Sequence, residues 1–282
     1  KPASDALFAR GGRDRVVVFD APYGPSDPDR GAAGPPRIFA DGLVMPLGVQ
    51  PYRDGAYVQY GADIRFYRDA DQDGRAERHE VVVTGFGTED SHLFPHQFHR
   101  QPGGWMMVAQ GLFNYSRLRR PDGQPFADGS REIVFNQCKL GRMTLDGARW
   151  ENLTTGPNNI WGLVTNRQGE TFLQEANDLG YPVIPYQPGV WLPTLSKERL
   201  RPYQPLMPPP LEKPVMGGTG LSGLALAEDH DGAFRRVGGD TATEVFFLAN
   251  PITGTVQVVR AIEDGGRYRY QKLDDFLTST DR

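Results

Sequence analysis

The sequence predicts an all-β protein, and within that class a β-propeller built from four-stranded antiparallel blades. Three observations point there. Glycine and proline number 34 and 24 in 282 residues, which suits many short strands joined by turns and disfavours long helices. Short β-branched and aromatic runs recur, each bounded by Gly, Pro or Asp. A hairpin with a glycine turn also repeats, at intervals of roughly 50 to 65 residues.

The chain can be taken in order. Arg15 to Phe19 is a β-branched run, and the polar, proline-broken stretch from Ala21 to Pro36 reads as a loop. Arg37 to Ala40 is a short strand. The first hairpin pairs Met45–Val49 with Ala56–Tyr60 across Asp54-Gly55, and Ile64–Tyr67 and Val81–Thr84 follow as its outer strands. The second pairs Phe94–Arg100 with Trp105–Ala109 across Pro102-Gly103-Gly104, followed by Arg117–Arg119 and Glu132–Phe135. The third pairs Ile160–Thr165 with Thr171–Gln174 across Gly169. A looser fourth copy pairs Leu221–Ala227 with Glu244–Leu248 near Asp231-Gly232, followed by Thr255–Arg260. Four-stranded sheets repeated radially make a propeller, and a β-sandwich is the competing architecture. Tyr181 to Leu195 and Leu206 to Pro214 carry too many prolines for a helix or a central strand and read as long loops.

The bulk composition sets limits. Hydrophobic residues are 38% and charged residues 23%, enough to pack a core. The formal net charge of −4 gives no reason to expect nucleic acid or an anionic membrane surface. Cys138 is the only cysteine, so no intrachain disulfide and no Cys-x-x-Cys motif is possible, and no role is assigned to it. No apolar run approaches the ~18 residues of a membrane span. The chain opens Lys1-Pro2-Ala3 without methionine, which reads as a processed or truncated end.

The densest chemistry lies in Asp69-Ala70-Asp71-Gln72-Asp73-Gly74-Arg75-Ala76-Glu77-Arg78-His79-Glu80. Alternate carboxylates from Asp69, Asp71 and Asp73, a turn at Gly74, the carbonyl of Arg75 and the carboxylate of Glu80 match the ligand offsets of an oxygen-only Ca2+ loop. Strand-like runs flank it where an EF-hand would have helices. The expectation is therefore a structural Ca2+ turn on an outer-strand connection, a brace away from the chemistry.

Other residues carry a resemblance. Gly85-Phe86-Gly87-Thr88-Glu89-Asp90-Ser91-His92, Pro102-Gly103-Gly104-Trp105, Ala109-Gln110-Gly111 and Asn159-Ile160-Trp161-Gly162-Leu163 resemble the bacterial membrane-bound dehydrogenase propellers, related to the soluble quinoprotein glucose and sorbosone dehydrogenases. Phe39-Ala40-Asp41-Gly42-Leu43 and Asp69 to Gly74 are similar to that group's early blades. The resemblance implies one six-bladed propeller domain over residues 1–282. Its first and last blades would be truncated or completed by a partner, because an open ring leaves unpaired strand edges. It also implies a periplasmic or extracellular sugar or polyol dehydrogenase using pyrroloquinoline quinone (PQQ), with an external electron acceptor.

By position His92 matches the family's general base, a role that suits imidazole because it titrates near neutrality. Asn159 matches the asparagine that orients substrate or cofactor. Asn158 falls where the family has an arginine and, with Gln110, would contact the cofactor; a neutral amide cannot supply the bidentate fork a carboxylate prefers. Asn250 to Val256 is likewise neutral where the family places cations against the quinone. His96, Asn114, Tyr115, Trp161, Gln174 and Asn177, with Phe113 and Tyr181, would line the channel mouth and contact a sugar. Trp105 and Trp161 can equally be packing between blades. On a regular strand His96 and His99 face opposite ways, so only one could join His92 and Asp90 in a zinc or copper site, and His99 reads as exposed. The missing cations keep a second reading open: a non-redox propeller that binds carbohydrate or protein, or a metal-assisted sugar lyase or hydrolase.

Overall fold

The computed structural model describes residues 8–19, 35–136, 139–157, 159–177, 181–192, 216, 219–228, 237 and 244–280. The strands assemble into successive antiparallel sheets. β1 (Asp14–Val18) pairs with β2 (Arg37–Leu43). β3 (Val49–Tyr52), β4 (Gly55–Tyr60), β5 (Asp63–Arg68) and β6 (Arg78–Thr84) form a four-stranded meander. In the next blade β7 (His96–Gln101) and β8 (Trp105–Gln110) are followed by an inserted two-stranded hairpin, β9 (Tyr115–Leu118) and β10 (Ile133–Asn136). β11 (Lys139–Thr144) and β12 (Trp150–Thr154) then complete the sheet in the order β12-β11-β8-β7. β13 (Ile160–Thr165), β14 (Thr171–Glu175) and β15 (Val183–Tyr186) form a three-stranded sheet. The last sheet is β16 (Leu224–Glu228), β17 (Glu244–Asn250), β18 (Thr255–Asp264) and β19 (Arg267–Thr278).

Two features make this a propeller and not a sandwich. The first strands of successive sheets touch in chain order, β3 against β7, β7 against β13 and β13 against β16, so they line a common axis. The cores also lie between neighbouring sheets. Tyr57, Ile64 and Phe66 pack with Met106, Val108 and Trp150. Met107, Ala109 and Leu140 pack with Ile160, Leu173 and Ile184. Phe172 and Val183 pack with Phe246, Leu248 and Val259, and Phe39 and Leu43 pack with Ala56, Val58 and Tyr67. Strand β8 thus buries Met106 and Val108 on one side and Met107 and Ala109 on the other. Such a strand reads as a continuous apolar run, without the polar alternation of a half-exposed strand.

Three sequence expectations change. The segments expected as outer strands of the second blade, Arg117–Arg119 and Glu132–Phe135, form the inserted hairpin instead, and β11 and β12 are the blade's outer strands. The proline-laced stretch after Tyr181 contains an edge strand: Pro185 sits opposite Phe172, where its missing N–H interrupts no further ladder. His96 and His99 do not face opposite ways. A bulge between them, with Gln97 at φ 52°, sets the four residues His96–His99 of β7 against the three from Ala109 to Met107, and both imidazoles reach β13. The expected turn at Asp231-Gly232, Cys138, His230 and the loop containing Pro208-Pro209-Pro210 lie outside the described residues. Among the described residues no helix is long and apolar enough to cross a membrane, and no strand pairing joins the last sheet to the first.

Candidate functional site

The connections between strands lie at two ends of the blades. At the upper end the connection from β6 to β7 folds over the β4–β5 turn, with Gly85 and Phe86 N–H both donating to the Ala62 carbonyl. The Arg53-Asp54 turn and the acidic turn between β5 and β6 lie at the lower end.

The upper connection presents His92. Asp90 caps a single 3-10 turn, Ser91–Leu93, and its Oδ1 accepts from the His92 N–H at 3.0 Å. The same Oδ1 lies 3.3 Å from His92 Nδ1. The His92 side chain is 88% exposed. If Nδ1 carries the proton toward Asp90, Nε2 is left as a free lone pair facing solvent, the arrangement of an oriented base.

The loop is held from below by Asn114, which is fully buried. Its Nδ2 donates to the Leu93 carbonyl at 2.6 Å and the Asp90 carbonyl at 3.2 Å, and its Oδ1 accepts from the Asp90 N–H at 2.8 Å. Both amide donors are therefore spent on the backbone, so the expected substrate contact from Asn114 becomes a brace for the Asp90–His92 loop. Gln110, expected at a cofactor, lies one layer deeper. Its Nε2 donates to the Asn114 carbonyl at 3.1 Å and its Oε1 accepts from the Ser116 hydroxyl. Ser116 Oγ in turn accepts from the Gly87 N–H at 2.9 Å. Tyr115 is 60% exposed, as a substrate contact requires, and its N–H donates to Glu89 Oε2.

His96, expected at the channel mouth, turns both ring nitrogens to backbone carbonyls. It is fully buried and stacked on Trp161, ring centroids 4.3 Å apart, with Nδ1 against the Phe94 carbonyl and Nε2 against the Ile160 carbonyl. Burial lowers its pKa, and the two carbonyls act in the opposite sense. A neutral imidazole has one N–H and satisfies one carbonyl at a time. Half-buried His99 contacts Thr165 Oγ1 at 2.8 Å, so these two histidines stitch β7 to β13.

The third blade brings buried polar groups to the same end. Asn159 Oδ1 is enclosed without a hydrogen-bond partner, and its backbone carbonyl accepts from the Ala176 N–H at 3.0 Å. Gln174 is fully buried with neither amide atom partnered. Leaving such atoms unsatisfied costs about 1–3 kcal/mol each, so both residues mark places for a polar ligand or water. Asn177 is half-buried; its N–H donates to Glu175 Oε2 at 2.7 Å and its Oδ1 accepts from Thr219. Sequence reasoning misses Glu175, a fully buried carboxylate, because nothing in Thr-Phe-Leu-Gln-Glu separates it from a surface acid ending a strand. It also misses Lys139, a buried cation at the start of β11, with Nζ 3.1 Å from Thr155 Oγ1 and 5.5 Å from the Trp191 ring centroid. Asn158 lies outside the described residues.

At the lower end the acidic turn closes on itself. Asp69, Asp71, Asp73 and Glu77 each offer a carboxylate oxygen within 4.8 Å of the others. Gly74, at φ 88°, donates its N–H to Asp69 Oδ2, and Arg75 N–H donates to Asp73 Oδ1. Asp69 Oδ1 is enclosed with no partner. Glu80 is not in the cluster. It lies within β6 opposite Phe66, at the edge of an ion pair with Arg68, while Glu77 takes the last carboxylate position.

Solved structures share this architecture. A glucose dehydrogenase aligns over 92% of this chain and 80% of its own, at 19% identity and a TM-score of 0.52. An oxidoreductase (glucose dehydrogenase) from Thermus thermophilus aligns over 84% and 86%, at 15% identity and a TM-score of 0.44. The PQQ-bound aldose sugar dehydrogenase of Streptomyces coelicolor aligns over 94% and 87%, at 12% identity and a TM-score of 0.37. The first likeness establishes the propeller fold. No curated protein sequence matches the chain. A family profile described as a domain of unknown function, DUF7133, matches residues 26–282, and the chain therefore belongs to the DUF7133 family.

Proposed function

We propose that this propeller oxidises a sugar or polyol at its upper end, with His92 as general base. One observation carries the reading: an exposed imidazole oriented by Asp90, on a loop that a fully buried asparagine pins in place. In this mechanism Nδ1–H rests on Asp90 and Nε2 takes the proton of the substrate hydroxyl. Asn114 holds the backbone of Asp90 and Leu93, which fixes where Nε2 points. Asn159 and Gln174 offer the unpartnered buried amide atoms a PQQ-type cofactor would satisfy, and Lys139 offers a positive charge for its carboxylates. When bound, that cofactor would accept the hydride, and an external acceptor would reoxidise it. Asp69, Asp71, Asp73 and Glu77 would hold Ca2+ at the lower end, where the enclosed Asp69 Oδ1 gains a partner and the ion braces the β5–β6 connection. The proposal places the chain in the periplasm or outside the cell, as one propeller over residues 1–282.

The test is reconstitution with PQQ and Ca2+, followed by aldose-dependent dye reduction and a bound-quinone absorbance. Both are expected; a folded protein that shows neither overturns the dehydrogenase reading. A non-redox carbohydrate-binding propeller is the second reading. It is favoured by the outward-facing Tyr115, which needs no quinone to bind a sugar.

A further inference from the structure

One blade departs from the common plan. Between β8 and β11 the chain inserts the β9–β10 hairpin, which among the described residues pairs with no other strand of its own blade; it meets the end of β6 through the Thr84–Arg119 bridge and an Arg117 N–H bond to the Gly85 carbonyl. Its inner face is buried through Ser116, Leu118 and Phe135. Its outer face presents Tyr115 opposite Asn136 and Arg117 opposite Val134, all exposed. At its root Phe113 is 61% exposed and held at φ 74°, a backbone region that a bulky L-residue rarely enters. The side chain of the next residue, Asn114, is tied to the His92 loop. The chain thus tolerates a strained residue and spends it on holding an aromatic ring in water, beside the connection that carries His92. Strain of this kind is retained where a surface is used.

We propose that Phe113, Tyr115, Asn136 and Val134 form a platform for the successive rings of a neutral oligosaccharide whose reacting end lies at His92. Aromatic faces stack on the C–H faces of pyranose rings, and an amide between them serves the hydroxyls. The platform suits a neutral chain because none of its four side chains carries a charge; the neighbouring Arg117 and Arg119 share the single carboxylate of Glu132. The inference rests on reading the upper end as a sugar site, and its test needs no redox chemistry.

Binding of neutral glucose-, xylose- and mannose-based hexasaccharides is measured by calorimetry against the corresponding monosaccharides, without quinone. At least one hexasaccharide is expected to bind tenfold or more tightly than its monosaccharide. Phe113→Gly and Tyr115→Ala should each remove most of that gain. Phe113→Gly should also raise the melting temperature, because glycine relieves the positive φ. A structural role for Phe113 would not yield higher stability together with weaker binding. Equal affinities for every hexasaccharide and monosaccharide, or variants that bind as the parent does, overturn the proposal. Oligosaccharide binding without dye reduction would retain the platform and reject the dehydrogenase; dye reduction without a chain-length effect would do the reverse.

Discussion

The acidic turn joins β5 to β6 within one blade, the His92 loop leads from that blade to the next at the opposite end, and the two are built differently. In the turn at residues 69–77 the carboxylates are engaged locally, by the Gly74, Arg75 and Ala70 N–H groups, while the backbone is tied outward to Arg37, Phe39 and Asp54. Three of its four candidate ligands are exposed. The His92 loop leans on a distant residue, Asn114, and on a second layer of Gln110 and Ser116. A turn that gathers its carboxylates locally can take an ion, which would then add rigidity. The loop that carries His92 takes its support from buried amides. On the proposed function, this contrast would put stability at the lower end and chemistry at the upper.

The largest expected effect tests the upper end. His92→Ala should lower dye-reduction turnover by about 10^2- to 10^4-fold, the range for removing a positioned base. Its unfolding free energy should stay within about 0.5 kcal/mol of the parent, because the side chain is exposed. Unchanged turnover would remove His92 from the chemistry.

Asn114→Ala should do what His92→Ala does not. It strips partners from the Asp90 N–H and from the Asp90 and Leu93 carbonyls, at a cost of about 3 kcal/mol in urea unfolding. Turnover should fall with it, since the loop loses its orientation. A variant as stable as the parent would mean the brace is not what holds the loop.

A third test concerns pH. Burial holds the His96 pKa below its ordinary 6.5, and burial pushes His99 in the same direction. The unfolded chain therefore binds these protons at higher pH than the folded one. Their contribution to stability is complete above pH 6.5 and is lost as pH falls through the lower folded-state values. The melting temperature should drop on acidification below this ordinary value, and the slope should be shallower in His99→Gln, the more conservative replacement. A flat profile through that window would place the buried imidazoles in contact with water.

Legibility follows the range of the interactions. The hairpins are readable because apolar runs and turn glycines are local signals, and these recover the first and second strands of the blades. The outer strands of the second blade are not. Lys139–Thr144 lacks β-branched residues except at its end, while the inserted hairpin offers Ile133-Val134-Phe135. An ideal period of two puts His96 and His99 on opposite faces, and no residue announces the bulge at Gln97. His92 stands out through its neighbours in the chain. Asn114 as a brace, Glu175 and Lys139 need the fold, because what gives them meaning lies across a blade or between blades.

The smallest expected effect separates two glutamates three residues apart. The twelve-residue spacing that points to Glu80 belongs to a loop followed by a helix, whereas this turn is followed by a strand that begins at Arg78. Once the chain extends, Glu80 is carried along β6 and away from the cluster, and Glu77 is the last carboxylate that can turn inward. Saturating Ca2+, at about 100 times its dissociation constant, should stabilise the parent by about 2.7 kcal/mol over the chelated protein. Glu77→Gln should lose most of that increment. Glu80→Gln should keep it and differ from the parent by only a few tenths of a kcal/mol, the expected loss of a partly exposed contact with Arg68. The measurement is the difference in melting temperature with Ca2+ and with chelator, taken for all three proteins. If Glu80→Gln abolishes the increment and Glu77→Gln does not, the turn binds its ion in a conformation other than the one that closes at Glu77.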